Sequence, residues 1–345
     1  MTAAVVIPNH DGRRWIEGCL DSVAAQTLAP ADVVVVDNGS TDGSPAVARA
    51  REGVRVLEMG ENLGFAAAAN AGIAAARADA VALVNTDVVL APDWLERMLA
   101  ALGEGVGSVA CKMVDLADPG VLYDAGDVLR RDGACEQRGR FARDDGRFDA
   151  PGEVFAACAG AALYRREAVE AVGGFDERLF LYLEDVDLGL RLALAGWRCA
   201  YEPRAVARHA GEGSAGPASP AWWAARNTVL LAARAFPARW AGPFLYRQAA
   251  WAWHAARERR LRSHLRALAA AVPLLPAMLR ERRALRRSAR VAIEEVVPAR
   301  PYRGPAAGGH AEALSRPGDG PRRGGPAPGD GSRAGGGPAP GDGSP

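Results

Sequence analysis

Lysine is almost absent from this 345-residue chain: of its 42 basic residues only Lys112 is lysine, and the others are arginine. With alanine, glycine and proline abundant, that bias reflects a GC-rich genome more than a particular chemistry. Cysteine is scarce. Cys19, Cys111, Cys135, Cys158 and Cys199 are odd in number, scattered and without metal-ligand spacing, which excludes a disulfide scaffold and predicts reduced thiols in a cytosolic setting. No basic leader precedes the first apolar run, and no window reaches the ~18 uninterrupted apolar residues of a membrane-spanning helix. Neither GxxxxGK[ST] nor GxGxxG follows the first strand-like segment, so a P-loop kinase or a dinucleotide-binding dehydrogenase is excluded. A net charge of +1 gives no overall basic field that would call for nucleic acid, and none is expected as a partner. The 49% hydrophobic content supports a substantial core, in one large or two ordinary domains.

Strand and helix signals alternate through the first 114 residues. Ala3 to Ile7 is an apolar run closed by Pro8-Asn9, and Trp15, Cys19, Leu20 and Val23 then recur at helical spacing. Val33 to Val36 are four β-branched residues in succession, as in a parallel strand buried on both faces, and the run stops at Asp37-Asn38. Val54 to Met59, Ala80 to Val84 and Val106 to Met113 complete the strands, with an alanine-rich helix at Ala66 to Ala76 and another from Pro92. This rhythm predicts an α/β fold with a mixed, mostly parallel sheet flanked by helices. Polar residues gathered after strands, here Pro8-Asn9, Asp37-Asn38 and Asn85-Thr86-Asp87, fall where open α/β sheets bind ligands. An aspartate in that position suits the imide N–H of a uracil or thymine ring, and a second suits a divalent cation beside a diphosphate.

Residues 115–152 are charged, glycine-rich and without helical period, as loops or hairpins covering a site would be. Strand signals return near Tyr164 and at Trp197 to Tyr201, where a final strand is expected to stop before Pro203. Between them lies GGFDERLFLYLEDVDLGLR, Gly173 to Arg191, with three carboxylates in four residues among leucines. On a helix starting near Leu183, Glu184 and Asp187 share a face, Asp187 meets Arg191 one turn on, and Asp185 projects elsewhere. An acidic helix start favoured by the helix dipole accounts for one or two of these acids. The rest points to a functional site, because apolar surroundings penalise unpaired carboxylates.

The segments VVIPNHDG, VVVVDNGSTDGS, GENLGFAAAANAGI, VALVNTDV, GAALYRREAVEAVGGFDERLFLYLEDVDLGLRLALAGW and VARH, taken in that order, resemble a family 2 glycosyltransferase of GT-A fold, in the rhamnosyltransferase-like branch. The resemblance covers about residues 3–210. It implies an inverting transfer, dependent on Mg²⁺ or Mn²⁺, from a dTDP- or UDP-linked sugar to a glycan or glycolipid acceptor. Carried over, Pro8, Asn9, Asp37 and Asn38 would bind the nucleotide, with Asn62, Gly64 and Asn70 shaping the donor pocket. Asn85-Thr86-Asp87 stands where the family has its DxD motif, so metal binding rests on Asp87, with His209 as a second ligand. Asp185 would be the general base, with Glu184 beside it. Two rivals remain. A sugar nucleotidyltransferase would need a glycine- and arginine-rich phosphate loop, which IPNHDGRRW supplies poorly. A degenerate binding module would not need the intact EDVD block.

The expected organisation is a catalytic domain over 1–215, with its nucleotide half to about 114 and an acceptor half over 115–215. A helical extension over 220–297 and a disordered Gly/Pro-rich tail over 298–345 follow. From Arg257 to Arg290 the extension holds eleven arginines against two glutamates, around apolar LRALAAAVPLLPAMLR. Together with upstream tryptophans this predicts either peripheral contact with an anionic membrane on its cytoplasmic face or packing against the catalytic domain.

Overall fold

The computed structural model describes residues 1–211 and 219–298, so the expected disordered tail lies, apart from Pro298, outside the described residues. Its elements in order are β1 (Ala3–Asn9), α1 (Ile16–Ala24), β2 (Asp32–Asp37), α2 (Ser44–Arg49), β3 (Val54–Glu58), α3 (Phe65–Ala75), β4 (Ala80–Val84), β5 (Val88–Leu90) and α4 (Trp94–Ala101). Then come β6 (Val106–Asp115), β7 (Leu122–Asp124), β8 (Asp127–Leu129), β9 (Cys135–Gln137), β10 (Gly152–Val154), β11 (Ala161–Arg165), α5 (Arg166–Ala171), α6 (Glu184–Leu194) and β12 (Arg198–His209). The extension is α7 (Pro220–Ala235), α8 (Ala241–Arg257), α9 (Leu261–Ala271), α10 (Leu275–Ser288) and α11 (Ile293–Val296).

One sheet runs β10-β12-β6-β11-β4-β1-β2-β3, with β5 on β12 and β7 on β6. Strands β4, β1, β2 and β3 are mutually parallel, and β12 is parallel to β6, while β11 is antiparallel to both β4 and β6. Alternation along the valine runs builds two cores. Val34 and Val36 belong to the core on the face that carries α3 and α6, whereas Val35 belongs to the core on the other face, with α1, α2 and α4. The expected mixed, mostly parallel sheet between helices is therefore the observed fold.

Two details differ from the sequence expectation. β5 is a three-residue strand too short to carry a period. β12 does not stop at Tyr201: it continues through Pro203 to His209, because a register shift between Glu202 and Val206 relieves Pro203 of a ladder hydrogen bond. That continuation carries His209 back to the end of β4.

The extension packs onto the catalytic fold. Val186, Leu190 and Leu194 of α6 share a buried cluster with Leu231, Ala235, Phe236, Trp240 and Val297. Leu179, just before α6, joins Leu230, Ala271 and Met278 in another. In contrast α8 buries no residue, and Leu245, Tyr246, Trp253, Leu265 and Val272 stand exposed along α8, α9 and the turn after it.

Candidate active site

The C-terminal ends of β1, β2 and β4 meet at one edge of the sheet. Asn9, which ends β1, is buried and donates its amide to Ser40 Oγ at 3.0 Å, Ser44 Oγ at 2.9 Å and Asp37 Oδ1 at 3.4 Å. Asn38 donates to Asn62 Oδ1 and to the Gly64 carbonyl, both at 3.1 Å, and accepts from the Leu63 N–H at 2.9 Å. Pro8 is half-buried on the same edge. These asparagines fix the two loops at this sheet edge, and Asp37 ends β2 between them. Gly64 has φ +89°, and a Cβ there would lie 2.6 Å from Phe180, so only glycine lets this loop approach the segment leading to α6. Asn70 lies apart from that edge. Both ends of its amide are used on the far loop, accepting from Phe175 N at 2.8 Å and donating to Phe175 O at 2.9 Å and Glu177 at 3.0 Å.

Asp87 is buried after β4 and faces His209, whose Nε2 lies 3.0 Å from Asp87 Oδ1. With the proton on Nε2, the imidazole donates to Asp87 and leaves Nδ1 as a lone pair, and that buried atom has no protein partner. A carboxylate and an orphaned imidazole nitrogen are suited to a divalent cation. Among the described residues no group of three or more acidic, histidine or cysteine side chains is arranged to hold a metal, so a ligand must complete the shell.

The acids at the start of α6 divide as their surroundings dictate. Asp187 is buried and bridged by Arg191 at 2.8 Å, as the sequence spacing indicated, and by Arg234 of α7 at 2.6 and 2.8 Å. Arg234 also reaches Asp176 and Glu281. Glu184 is buried, and its Oε2 has no hydrogen-bond partner. Burial, then the charge of Asp185, push its carboxyl well above the ordinary range. Asp185 is half-buried and accepts from Ala159 N at 3.1 Å and from Val186 N at 2.8 Å. Burial raises its proton affinity despite those amides. Gly160, next to Ala159, accepts from Asn85 N at 2.8 Å, so Asp185 and the Asn85-Thr86-Asp87 segment meet where β4 joins the approach to β11.

The backbone entering α6 is strained. Phe180, Tyr182 and Leu183 have φ of 63°, 66° and 67°, left-handed values that non-glycine residues seldom adopt. Asn227 of α7, fully buried, holds this segment by donating to the carbonyls of Leu179, Leu181 and Tyr182 at 2.9, 3.0 and 2.7 Å. Trp223 stacks on Phe180 with ring centres 4.8 Å apart.

Sequence reasoning did not identify the hairpin residues. Asp124 and Asp127, at the ends of β7 and β8, are buried, and the charge of Asp185 acts on both. Burial raises Asp124 to about 7, and its Oδ1 has no partner. Tyr123 packs edge-on against His209 at 4.2 Å, and Arg140 lies over Tyr123 at 4.7 Å. The available signal was the acid pair in Tyr123-Asp124-Ala125-Gly126-Asp127, set within an otherwise loop-like stretch.

Comparison with known proteins agrees with this arrangement. A family model described as "Glycosyl transferase family 2" matches residues 4–173. The N-acetylglucosaminyl-diphospho-decaprenol L-rhamnosyltransferase of Mycobacterium tuberculosis is 32% identical over 287 residues, spanning 76% of this chain and 91% of that protein. The pre-mycofactocin glycosyltransferase of the same organism is 35% identical over 187 residues, which is 51% of this chain and 37% of that one. Among solved structures, GalNAc-T7 with UDP, GalNAc and Mn²⁺ superposes with a TM-score of 0.54 at 15% identity, over 68% of this chain and 48% of that one, a likeness of fold. The chain is a member of glycosyl transferase family 2 and has the GT-A fold.

Proposed function

We propose that this protein is an inverting, metal-dependent glycosyltransferase. It moves a sugar, rhamnose being favoured by the mycobacterial relative, from a dTDP- or UDP-linked donor to a hydroxyl of a lipid-linked glycan in cell-surface polysaccharide synthesis. The observation that carries this reading is the pairing of roles at one junction: Asp185, with raised proton affinity, is held next to the segment that bears Asp87 and, through it, His209. The catalytic unit spans 1–215, and the 220–297 extension serves it.

Asp185 takes the proton of the acceptor hydroxyl as that oxygen attacks the anomeric carbon. The new C–O bond forms opposite the breaking bond, whose electron pair leaves with the diphosphate. One displacement by one base gives inversion, with no carboxylate nucleophile. Burial raises the proton affinity of Glu184 further than that of Asp185, which two backbone amides oppose, so Asp185 is the better placed of the two to ionise. Mg²⁺ or Mn²⁺ held by Asp87 and His209 would supply charge neutralisation for the departing diphosphate. Asp37, an acceptor at the end of β2, suits the single imide N–H of a pyrimidine dione, and the Asn9 and Asn38 networks keep its loop in shape.

The acceptor's lipid gives the exposed face of α8 and α9 a use. Tyr246 and Trp253 are 77% and 68% exposed, and Leu265 alternates with exposed Arg262 and Arg266. No described helix is long and apolar enough to cross a membrane, so this face would lie in the headgroup region of an anionic, cytoplasmic-side leaflet.

The test is a screen of purified protein against dTDP-, UDP- and GDP-sugars with a GlcNAc-diphospho-lipid acceptor and Mn²⁺, reading released nucleoside diphosphate and the anomer formed. Full turnover in excess EDTA overturns the metal role, and tighter binding of GDP than of UDP or dTDP overturns the base assignment. Flotation with phosphatidylglycerol liposomes tests the membrane face. Wild type should float and Leu245→Glu/Trp253→Glu should not.

A further inference from the structure

Arg140 differs from the paired arginines of this chain. Its guanidinium carbon lies 4.7 Å from the ring centre of Tyr123 and 4.8 Å from that of Phe141, and among the described residues no carboxylate forms an ion pair with it. Phe141 itself has φ +62° and is 56% exposed, a costly conformation for an aromatic residue. Two backbone hydrogen bonds impose it, Phe141 N to Leu122 O and Leu122 N to Ala142 O, both 2.8 Å. The loop is therefore tied to β7 with its arginine between two rings. Stacking occupies the faces of a guanidinium and leaves its in-plane N–H groups for a ligand.

The surroundings say what that ligand is. Tyr123, beneath Arg140, packs on His209, which contacts Asp87, so the guanidinium stands two side chains from the metal pair. On its other side lie buried Asp124 and Asp127, whose charges it offsets at a distance. A diphosphate approaching the junction of Asp87 and Asp185 meets repulsion that one cation bound by two side chains only partly offsets. Among the described residues Arg140 is paired directly with no carboxylate, and its planar fork matches phosphate oxygens.

We propose that Arg140 donates its guanidinium N–H edge to a diphosphate oxygen in the transfer site. This rests on the glycosyltransferase reading and extends it: a residue of the turn after β9, beyond the nucleotide half, joins Asp87 and His209 in holding the charge of the reaction. The same chemistry is offered by the donor's departing diphosphate and by a diphosphate linking an acceptor sugar to its lipid.

The experiment compares the full chain with Arg140→Gln and Arg140→Lys. Titration calorimetry measures binding of Mn²⁺ with UDP, dTDP and inorganic pyrophosphate, and kinetics compares acceptors carrying GlcNAc on a diphospho-lipid with GlcNAc on an uncharged alkyl chain. Loss of a charge-assisted, bidentate contact predicts roughly ten- to hundredfold weaker binding in Arg140→Gln, partly restored in Arg140→Lys. Weakened nucleoside diphosphate and pyrophosphate binding assigns Arg140 to the donor. Unchanged binding of those, with KM raised only for the diphospho-lipid acceptor, assigns it to the acceptor. No change in either arm overturns the proposal while leaving the transferase intact, and a wild-type chain that binds none of the three diphosphates overturns both readings. Should Arg140→Gln not fold, Arg140→Lys alone decides, with a several-fold loss expected in one arm.

Discussion

The nucleotide half and the half around α6 are built on opposite terms. At the ends of β1 and β2, Asn9 and Asn38 spend their amide donors on neighbouring loops, and the one buried oxygen left without a partner there, Asn9 Oδ1, belongs to a neutral amide. Around α6 the balance is unfavourable. Glu184 and Asp124 are buried with unpartnered oxygens, and three residues before the helix have left-handed backbone. What holds that region in place comes from outside it, in Asn227 and Arg234 of α7. Buried charge and strain persist where surrounding structure over-determines them, and they mark the place where chemistry is done. The comparison teaches that the extension holds the start of α6 in place, and under the proposed function it would thereby support the active site. Substitutions in the first half should appear in donor binding, and those in the second in turnover and stability.

The largest effect expected is from Asp185→Asn, which should lower kcat by roughly three orders of magnitude while donor affinity stays near wild type. Glu184→Gln should lose far less, because burial favours the neutral form of Glu184, which glutamine mimics. Activity above about a tenth of wild type in Asp185→Asn, with Glu184→Gln inactive, would reverse the two roles.

Next in size is Arg234→Met. Removing it strips Asp187 of two hydrogen bonds and leaves Arg191 as its remaining ion-pair partner, with Asp176 also losing a contact. Breaking a buried charged network in this way costs about 3–5 kcal/mol. Urea unfolding should show the loss, and Asp187→Asn in the same background should restore part of it, since the uncompensated charge is then gone.

Asn227→Ala separates support from stability. Three carbonyls of the strained segment lose their donor, so the backbone around Tyr182 is free to relax and Asp185 loses its fixed position. About tenfold in kcat, unchanged nucleoside diphosphate affinity and a Tm lower by several degrees are expected. A Tm loss with kcat intact would reduce Asn227 to a packing residue.

How much of this was legible in the sequence follows the same division. Val33 to Val36 and the Asp187–Arg191 spacing are local patterns, and each produced the contact expected of it. Asp124, Asp127 and Arg140 sit on three-residue strands and turns with no period, and acquire meaning only when β7 and β8 set them near Asp185. Arg234 is 47 residues from Asp187, in a helix whose pattern announces only amphipathy. The six residues of β12 after Pro203 are admitted by a register shift that depends on pairing with β6, which no local pattern reports.

The smallest effect is one of pH. Asp124 has its folded-state value raised to about 7 by burial and then by Asp185, against an unfolded value near 3.9. Below about pH 4 both states hold the proton. As pH rises from there the unfolded chain ionises first and is favoured, so this residue withdraws stability across about pH 4 to 7 and no further above it. Asn in its place keeps the shape and cannot ionise, while Asp127 and Asp185 and the facing Arg138 and Arg140 remain in both proteins. The Tm of Asp124→Asn minus that of wild type should therefore be more positive at pH 8 than at pH 4.5, by a few degrees. An equal difference at the two pH values would mean that Asp124 is ionised and compensated in the folded chain. The hairpin would then share the matched character of the nucleotide half, and the contrast between the halves would rest on Glu184 and the left-handed segment alone.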